Sequence, residues 1–186
     1  VCLPSHPSPD TTLTLVTAEA EAVFEAARAA GVPVVDPPQQ LALVFDRAAT
    51  ARVLATMPRS LGDTNIATGA PATATLTTLH PEEVAKALAG AGVTLPCLLK
   101  PRAACGTPAA HGFALLWTLD AAPEARVELP AIAQAFVPHD GRVHKVYVFG
   151  DVVLIATRRS LPNPQTVVTH AVRTAQPVQS FDALRD

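Results

Sequence analysis

Lysine is almost missing from this chain. Of 186 residues only Lys86, Lys100 and Lys145 are lysines, against eleven arginines. Long apolar runs are missing as well. No stretch of about 18 uncharged apolar residues occurs, so no membrane span is expected. The opening residues VCLPSHPSPD lack the basic start and the apolar run of a signal peptide. Cysteine is scarce: Cys2, Cys97 and Cys105 are odd in number and have no metal-like spacing, which suits a reducing, cytoplasmic interior. Cys97 falls in an apolar run and reads as a buried core thiol. Nor is basic charge in excess. Fourteen Lys and Arg stand against 16 Asp and Glu, a net charge of −2, and a nucleic-acid role finds no support.

What is present is apolar residue in quantity, 49%, enough at this length for one domain or two small lobes with a real core. A composition that favours arginine so heavily keeps lysine where a compact, mobile point charge is useful, as on phosphate oxygens. Val1–Thr12 is polar and proline-rich and reads as a loop. Alanine-rich Ala18–Ala30, with early acids, Arg28 late and Gly31 beyond, predicts a helix. Val32–Val35 predicts a short strand closed by Asp36-Pro37-Pro38. A second helix is expected over Asp46–Met57, broken by Pro58. A third opens on Pro81 with Glu82 and Glu83 in its first turn and ends by Gly90–Gly92. Strands follow over Leu95–Lys100, Phe113–Leu119, Ala131–Val137, Val143–Phe149 and Val152–Thr157. The polar tail after Asn163 has no clear period and reads as a loop.

Some chemistry follows from the residues themselves. Gly150-Asp151 fits a two-residue turn, which pairs Phe149 with Val152, Lys145 with Ala156 and Val143 with Arg158. Period two then sets Lys145 and Arg158 on one face, about 7–8 Å apart as diagonal neighbours. They read either as holders of a shared anion or as two solvated charges. Lys100 ends an apolar strand, where an unpaired ammonium calls for a counter-ion unless it snorkels to water. Behind it runs a loop of small residues around Gly106, which is not a Walker A loop. Asp140-Gly141 is accounted for by turn chemistry.

Four ordered motifs go further: K-P-x-x-A-C-G-T from Lys100 with His111 beyond it, Q-x-F-V-x-H-D-G at Gln134–Gly141, K-V-Y-V-x-G at Lys145–Gly150, and R-x-S-L-P-N at Arg158–Asn163. Together they resemble the inositol trisphosphate 5/6-kinases, which also act as inositol tetrakisphosphate 1-kinases, within the ATP-grasp superfamily. The resemblance is strong over about Leu95–Asn163 and weaker over Val34–Met57. It implies an α+β, incomplete ATP-grasp core of antiparallel strands with flanking helices. The division it suggests is an amino-terminal segment at 1–44, a central lobe at 45–137 and the start of a carboxy-terminal lobe at 138–186.

The resemblance also implies roles. ATP is expected on Arg47, Lys100, Gly106, Gln134, Ala135, Phe136, Val137, Lys145 and Ser160, with the backbone of the Gln134–Val137 hinge reading adenine. His111 and Lys145 are expected to hold the inositol polyphosphate and to serve catalysis. On residues alone the alternatives stay open: His111 as a structural histidine, Gln134–Val137 as a plain buried strand, and Arg47 as a surface helix residue paired to Asp46. Lys100, Lys145, His111 and Ser160 are expected in one cleft. Mg²⁺ is expected as the companion of ATP, with its ligands in a segment beyond Asp186, so the chain reads as a fragment, weak or inactive alone. Ala110 and Gly112 depart from the family pattern, which favours serine before the histidine and a larger residue after it. A cytoplasmic monomer acting on a small molecule is the expectation. The rivals are an ATP-grasp carboxylate ligase and a non-catalytic binding module.

Overall fold

A computed structural model describes residues 17–57, 68–161, 163 and 178–182. The expected loop at Val1–Thr12, the break at Pro58 and the stretch 164–177 of the tail lie outside them. Helix α1 (Ala18–Ala29) starts where Thr17 Oγ1 accepts from Ala20 N at 3.3 Å, and none of its residues is buried. The expected strand at Val32–Val35 does not form; Val35 and Asp36 make a bend, and Asp36 takes φ 56°. Pro37-Pro38 does not close a strand either. It opens α2 (Pro38–Phe45), because a proline at the first helical position loses no hydrogen bond that a helix would use. α3 (Arg47–Ala55) then begins on Asp46, whose carboxylate accepts from Ala48 N at 2.9 Å and Ala49 N at 3.3 Å.

Strand β1 (Thr73–Leu76) precedes α4 (Pro81–Ala91), so helices and strands are not segregated as the sequence suggested. α4 ends as expected: Gly92 adopts φ 67°, Gly92 N–H reaches Ala89 O at 3.3 Å, and Val93 N–H reaches Leu88 O at 2.9 Å. The remaining strands are β2 (Cys97–Pro101), β3 (Gly112–Leu116), β4 (Ala131–Ala135), β5 (Arg142–Phe149), β6 (Val152–Arg159) and β7 (Val178–Asp182). β3 stops short of the predicted Leu119, where a 3-10 helix, Leu119–Glu124, takes over. β7 corrects the tail, since Val178–Ser180 is strand and not loop.

The chain forms two compact units, one reaching Ala135 and taking in β7, the other beginning at Phe136. The first is built on an antiparallel five-stranded sheet in the order β1-β4-β2-β3-β7. The return of β7 to this sheet differs from the sequence division, which kept 138–186 together. Alternation gives the sheet two different faces. Leu76, Cys97, Leu99, Ala114, Leu116 and Ala133 pack with Val84 and Leu88 of α4 into the core. Cys97 is fully buried there as a free thiol, and burial pushes it up to about 12. The opposite face carries Thr73, Leu98, Lys100, Phe113 and Gln134, all half-buried.

The second unit holds the β5–β6 hairpin. Its register pairs Phe149 with Val152, Tyr147 with Leu154, Lys145 with Ala156 and Val143 with Arg158, as the turn chemistry predicts. Gly150 opens the turn at φ 58°, the conformation a glycine-first two-residue turn needs. Every residue of both strands is exposed, so each face is open.

Candidate functional site

The face of the sheet opposite the core cluster is organised around two cations. Lys100 Nζ donates to Gln134 Oε1 at 2.7 Å, and Gln134 Nε2 donates on to Thr73 Oγ1 at 3.3 Å. The ammonium has no carboxylate partner among the described residues. Burial, with Arg47 adding like charge, lowers Lys100 to about 8. Lys100 Nζ lies 5.6 Å and Arg47 Cζ 5.1 Å from the centroid of the Phe113 ring, so one aromatic ring serves both cations.

Arg47 does not pair with Asp46, which corrects the surface-helix alternative. Its Nη1 donates to Pro101 O at 2.7 Å and Ala103 O at 2.6 Å; its Nη2 donates to Ala104 O at 3.4 Å and Ala110 O at 3.0 Å. One guanidinium thus spans the small-residue loop from the end of β2 to the residue before His111. A planar fork with five donors suits that task. Asp46 turns to Arg102, with Arg102 Nη2 on Asp46 Oδ2 at 2.7 Å and Arg102 Nε on Oδ1 at 3.0 Å, and both side chains are fully buried. Arg47 N–H to Arg102 O (2.9 Å) and Ala104 N–H to Phe45 O (2.7 Å) tie the α2–α3 junction to the same loop.

Within the loop Gly106 is exposed at φ 82°, a conformation that favours glycine. His111 is half-buried in the turn just before β3. Gly112 has a steric reason to be glycine: a Cβ there would stand 3.3 Å from Ala109 O, which its own N–H already meets at 2.9 Å. Arg47, Lys100, Gly106, Gln134, Ala135 and His111 therefore belong to the first unit; Phe136, Val137, Lys145 and Ser160 belong to the second.

In the second unit two motifs prove to be one structure. Asp140 (φ 51°) and Gly141 (φ 66°) are the centre of a turn closed by Arg142 N–H to His139 O at 2.9 Å. The S-L-P-N segment clasps it. Asn163 Oδ1 accepts from His139 N at 2.7 Å and Asp140 N at 3.0 Å, Asn163 Nδ2 donates to Asp140 Oδ1 at 2.8 Å, and Ser160 N–H meets Gly141 O at 2.9 Å. Ser160 Oγ lies 2.8 Å from His139 Nε2, and the Phe136 ring meets the imidazole edge-on at 5.3 Å between centroids. His139 and Asn163 were missed in the sequence as site residues. The signal was available: carrying the hairpin register one pair beyond Arg142–Arg159 sets Gly141 opposite Ser160. Lys145 and Arg158 are exposed on one face of the hairpin, which leaves both of their readings open.

Among the described residues no group of three or more His, Cys, Asp or Glu is arranged to hold a metal ion, and no helix is long and apolar enough to cross a membrane. A model of the inositol 1,3,4-trisphosphate 5/6-kinase ATP-grasp domain matches residues 63–182. Inositol-tetrakisphosphate 1-kinase 1 of Zea mays is 32% identical over 148 residues, 77% of this chain and 41% of its own length. Inositol-tetrakisphosphate 1-kinase 3 of Arabidopsis thaliana is 30% identical over 132 residues, 71% of this chain and 36% of its own. Inositol-tetrakisphosphate 1-kinase 6 of Oryza sativa subsp. indica is 29% identical over 130 residues, 70% of this chain and 24% of its own. This chain therefore spans between 24% and 41% of the length of these relatives, and it belongs to the inositol 1,3,4-trisphosphate 5/6-kinase ATP-grasp domain family.

Proposed function

We propose that this chain carries the ATP-holding part of an inositol polyphosphate kinase, which moves the γ-phosphate of ATP to a hydroxyl of an inositol tris- or tetrakisphosphate. The observation that carries the reading is Lys100: a half-buried ammonium beside Arg47, with an amide oxygen and the Phe113 ring but no carboxylate for partners among the described residues. A phosphate oxygen is the missing counter-charge. Bound there, it would relieve the repulsion between the two cations and favour protonated Lys100. The loop at Gly106, spanned by Arg47, is the backbone available to cover phosphates, and Gln134–Val137 is the segment offered to adenine. His111 and Lys145 are assigned to the inositol phosphates, and Ser160 to the nucleotide.

Phosphoryl transfer is mainly positioning and charge neutralisation, and Mg²⁺ ordinarily supplies part of the charge. The described residues do not form a set that fits that ion, so none is assigned to it. The free thiols of Cys97 and Cys105 support a reducing, cytoplasmic setting. The names of the relatives support the kinase reading over a carboxylate ligase. The chain is to be incubated with radiolabelled ATP, Mg²⁺ and either inositol tris- and tetrakisphosphates or a set of amino acids, measuring ATP binding and label transfer together. ATP binding, with any transfer confined to the inositol phosphates, is the expected result. ADP release driven by amino acids alone would overturn it in favour of the ligase.

A further inference from the structure

The clasp around the Asp140-Gly141 turn leaves one buried atom over. His139 Nδ1 has no hydrogen-bond partner among the described residues and is closed off from solvent, while Nε2 lies 2.8 Å from Ser160 Oγ. A neutral imidazole carries one N–H, and the neighbours decide where. With the proton on Nδ1, a donor would be buried without an acceptor, an arrangement that folded proteins seldom tolerate. With the proton on Nε2, only a lone pair is left over at Nδ1, and Ser160 Oγ receives a hydrogen bond. The ring is held against turning by Phe136 edge-on, and its backbone N–H by Asn163 Oδ1.

We propose that His139 is a positioning residue for Ser160. In the Nε2–H tautomer it donates to Ser160 Oγ, and the hydroxyl proton of Ser160 is thereby left to be donated outward to an acceptor atom of the bound nucleotide. The acceptors that this proton can meet are a phosphate oxygen, a ribose oxygen or an unprotonated ring nitrogen. This rests on the nucleotide-binding reading above, but the tautomer is a property of the free chain and is read without any ligand.

Two measurements on the full chain test it. Imidazole ¹⁵N shifts of His139, one of six histidines, should show a protonated Nε2 and an unprotonated Nδ1 without nucleotide; the opposite tautomer overturns the proposal. A fluorescent ATP analogue then reads a double-mutant cycle. Ser160→Ala and His139→Leu should each weaken binding about tenfold, in line with a lost hydrogen bond to a charged or strongly polar group. The double variant should bind no more weakly than Ser160→Ala alone. His139→Gln, which can still present a donor to Ser160, should recover most of the loss and shows that the Leu effect is not simple unfolding. Losses that multiply, or a Gln variant as poor as Leu, overturn the positioning role. A wild-type chain that binds no nucleotide defeats the functional reading and this role with it, whereas a wild-type chain that binds while the cycle is additive defeats this role alone.

Discussion

Lys100 and Lys145 both lie on antiparallel strands, and their surroundings differ at nearly every point. Lys100 belongs to a five-stranded sheet whose other face is filled by Leu99, Leu116, Val84 and Leu88, and its own face is narrowed by Phe113, Arg47 and Gln134. Lys145 belongs to a two-stranded hairpin exposed on both faces. In the sheet, long-range side-chain contacts hold the functional groups: Arg47 reaches across more than fifty residues of sequence to grip the loop before His111. In the hairpin, placement comes from register and from one clasped turn. A charge held in the first way, as Lys100 is, is perturbed before any ligand arrives.

The contrast is open to attack by mutation. Asp46→Ala should have the largest effect, because it removes the carboxylate paired with the fully buried Arg102 guanidinium and the cap of α3. Breaking a buried pair costs about 3–5 kcal/mol, and a lost cap about 1 kcal/mol more. Urea unfolding that shows a loss below about 1 kcal/mol would mean the pair does not anchor this region. Leu99→Ala, at a position with no exposed surface, should cost about 2–5 kcal/mol. Ile155→Thr, with Ile155 at 68% exposure on the hairpin, should fall within about 0.5 kcal/mol of wild type. Comparable losses at the two sites would erase the distinction. Asn163→Ala should cost about 1 kcal/mol by freeing the two turn amides it caps, and amide exchange at His139 and Asp140 should speed up while the core of the sheet is unchanged.

How far the sequence revealed this depended on distance along the chain. The hairpin was legible because a Gly-Asp turn and a period of two set the pairs from Val143–Arg158 inward. α4 was legible from Pro81 and its acids at one end and Gly92 at the other. α2 was not, because Pro37-Pro38 reads equally as a terminator and as a first helical turn. β1 is four residues long and β7 lies in a polar tail, so neither carries enough alternation to declare itself. For the site, Lys100 was legible as a cation near the end of a strand. The roles of Asp46 and Arg102 were not, since nothing local indicates a partner 56 residues away. His139 stayed hidden because Asp140-Gly141 explained the turn so fully that the histidine beside it drew no further question.

The central claim is that Lys100 is a charge held in wait for phosphate, and its titration tests that most directly. Burial, helped by Arg47, brings its folded-state value to about 8 from an ordinary 10.5. Between those values the unfolded chain holds the proton that the folded chain has given up, so Lys100 makes stability rise with pH over that window. The penalty for burying the charge is present in full below about 8. Bound phosphate should reverse the shift, raising Lys100 back toward 10.5 and weakening nucleotide binding as pH climbs through 8. With only three lysines, side-chain ¹³Cε NMR resolves each one. The account predicts one signal titrating near 8 in the free chain, lost in Lys100→Met and moved upward by at least a unit with ATP. A Lys100 signal that titrates near 10.5 and ignores ATP would contradict it.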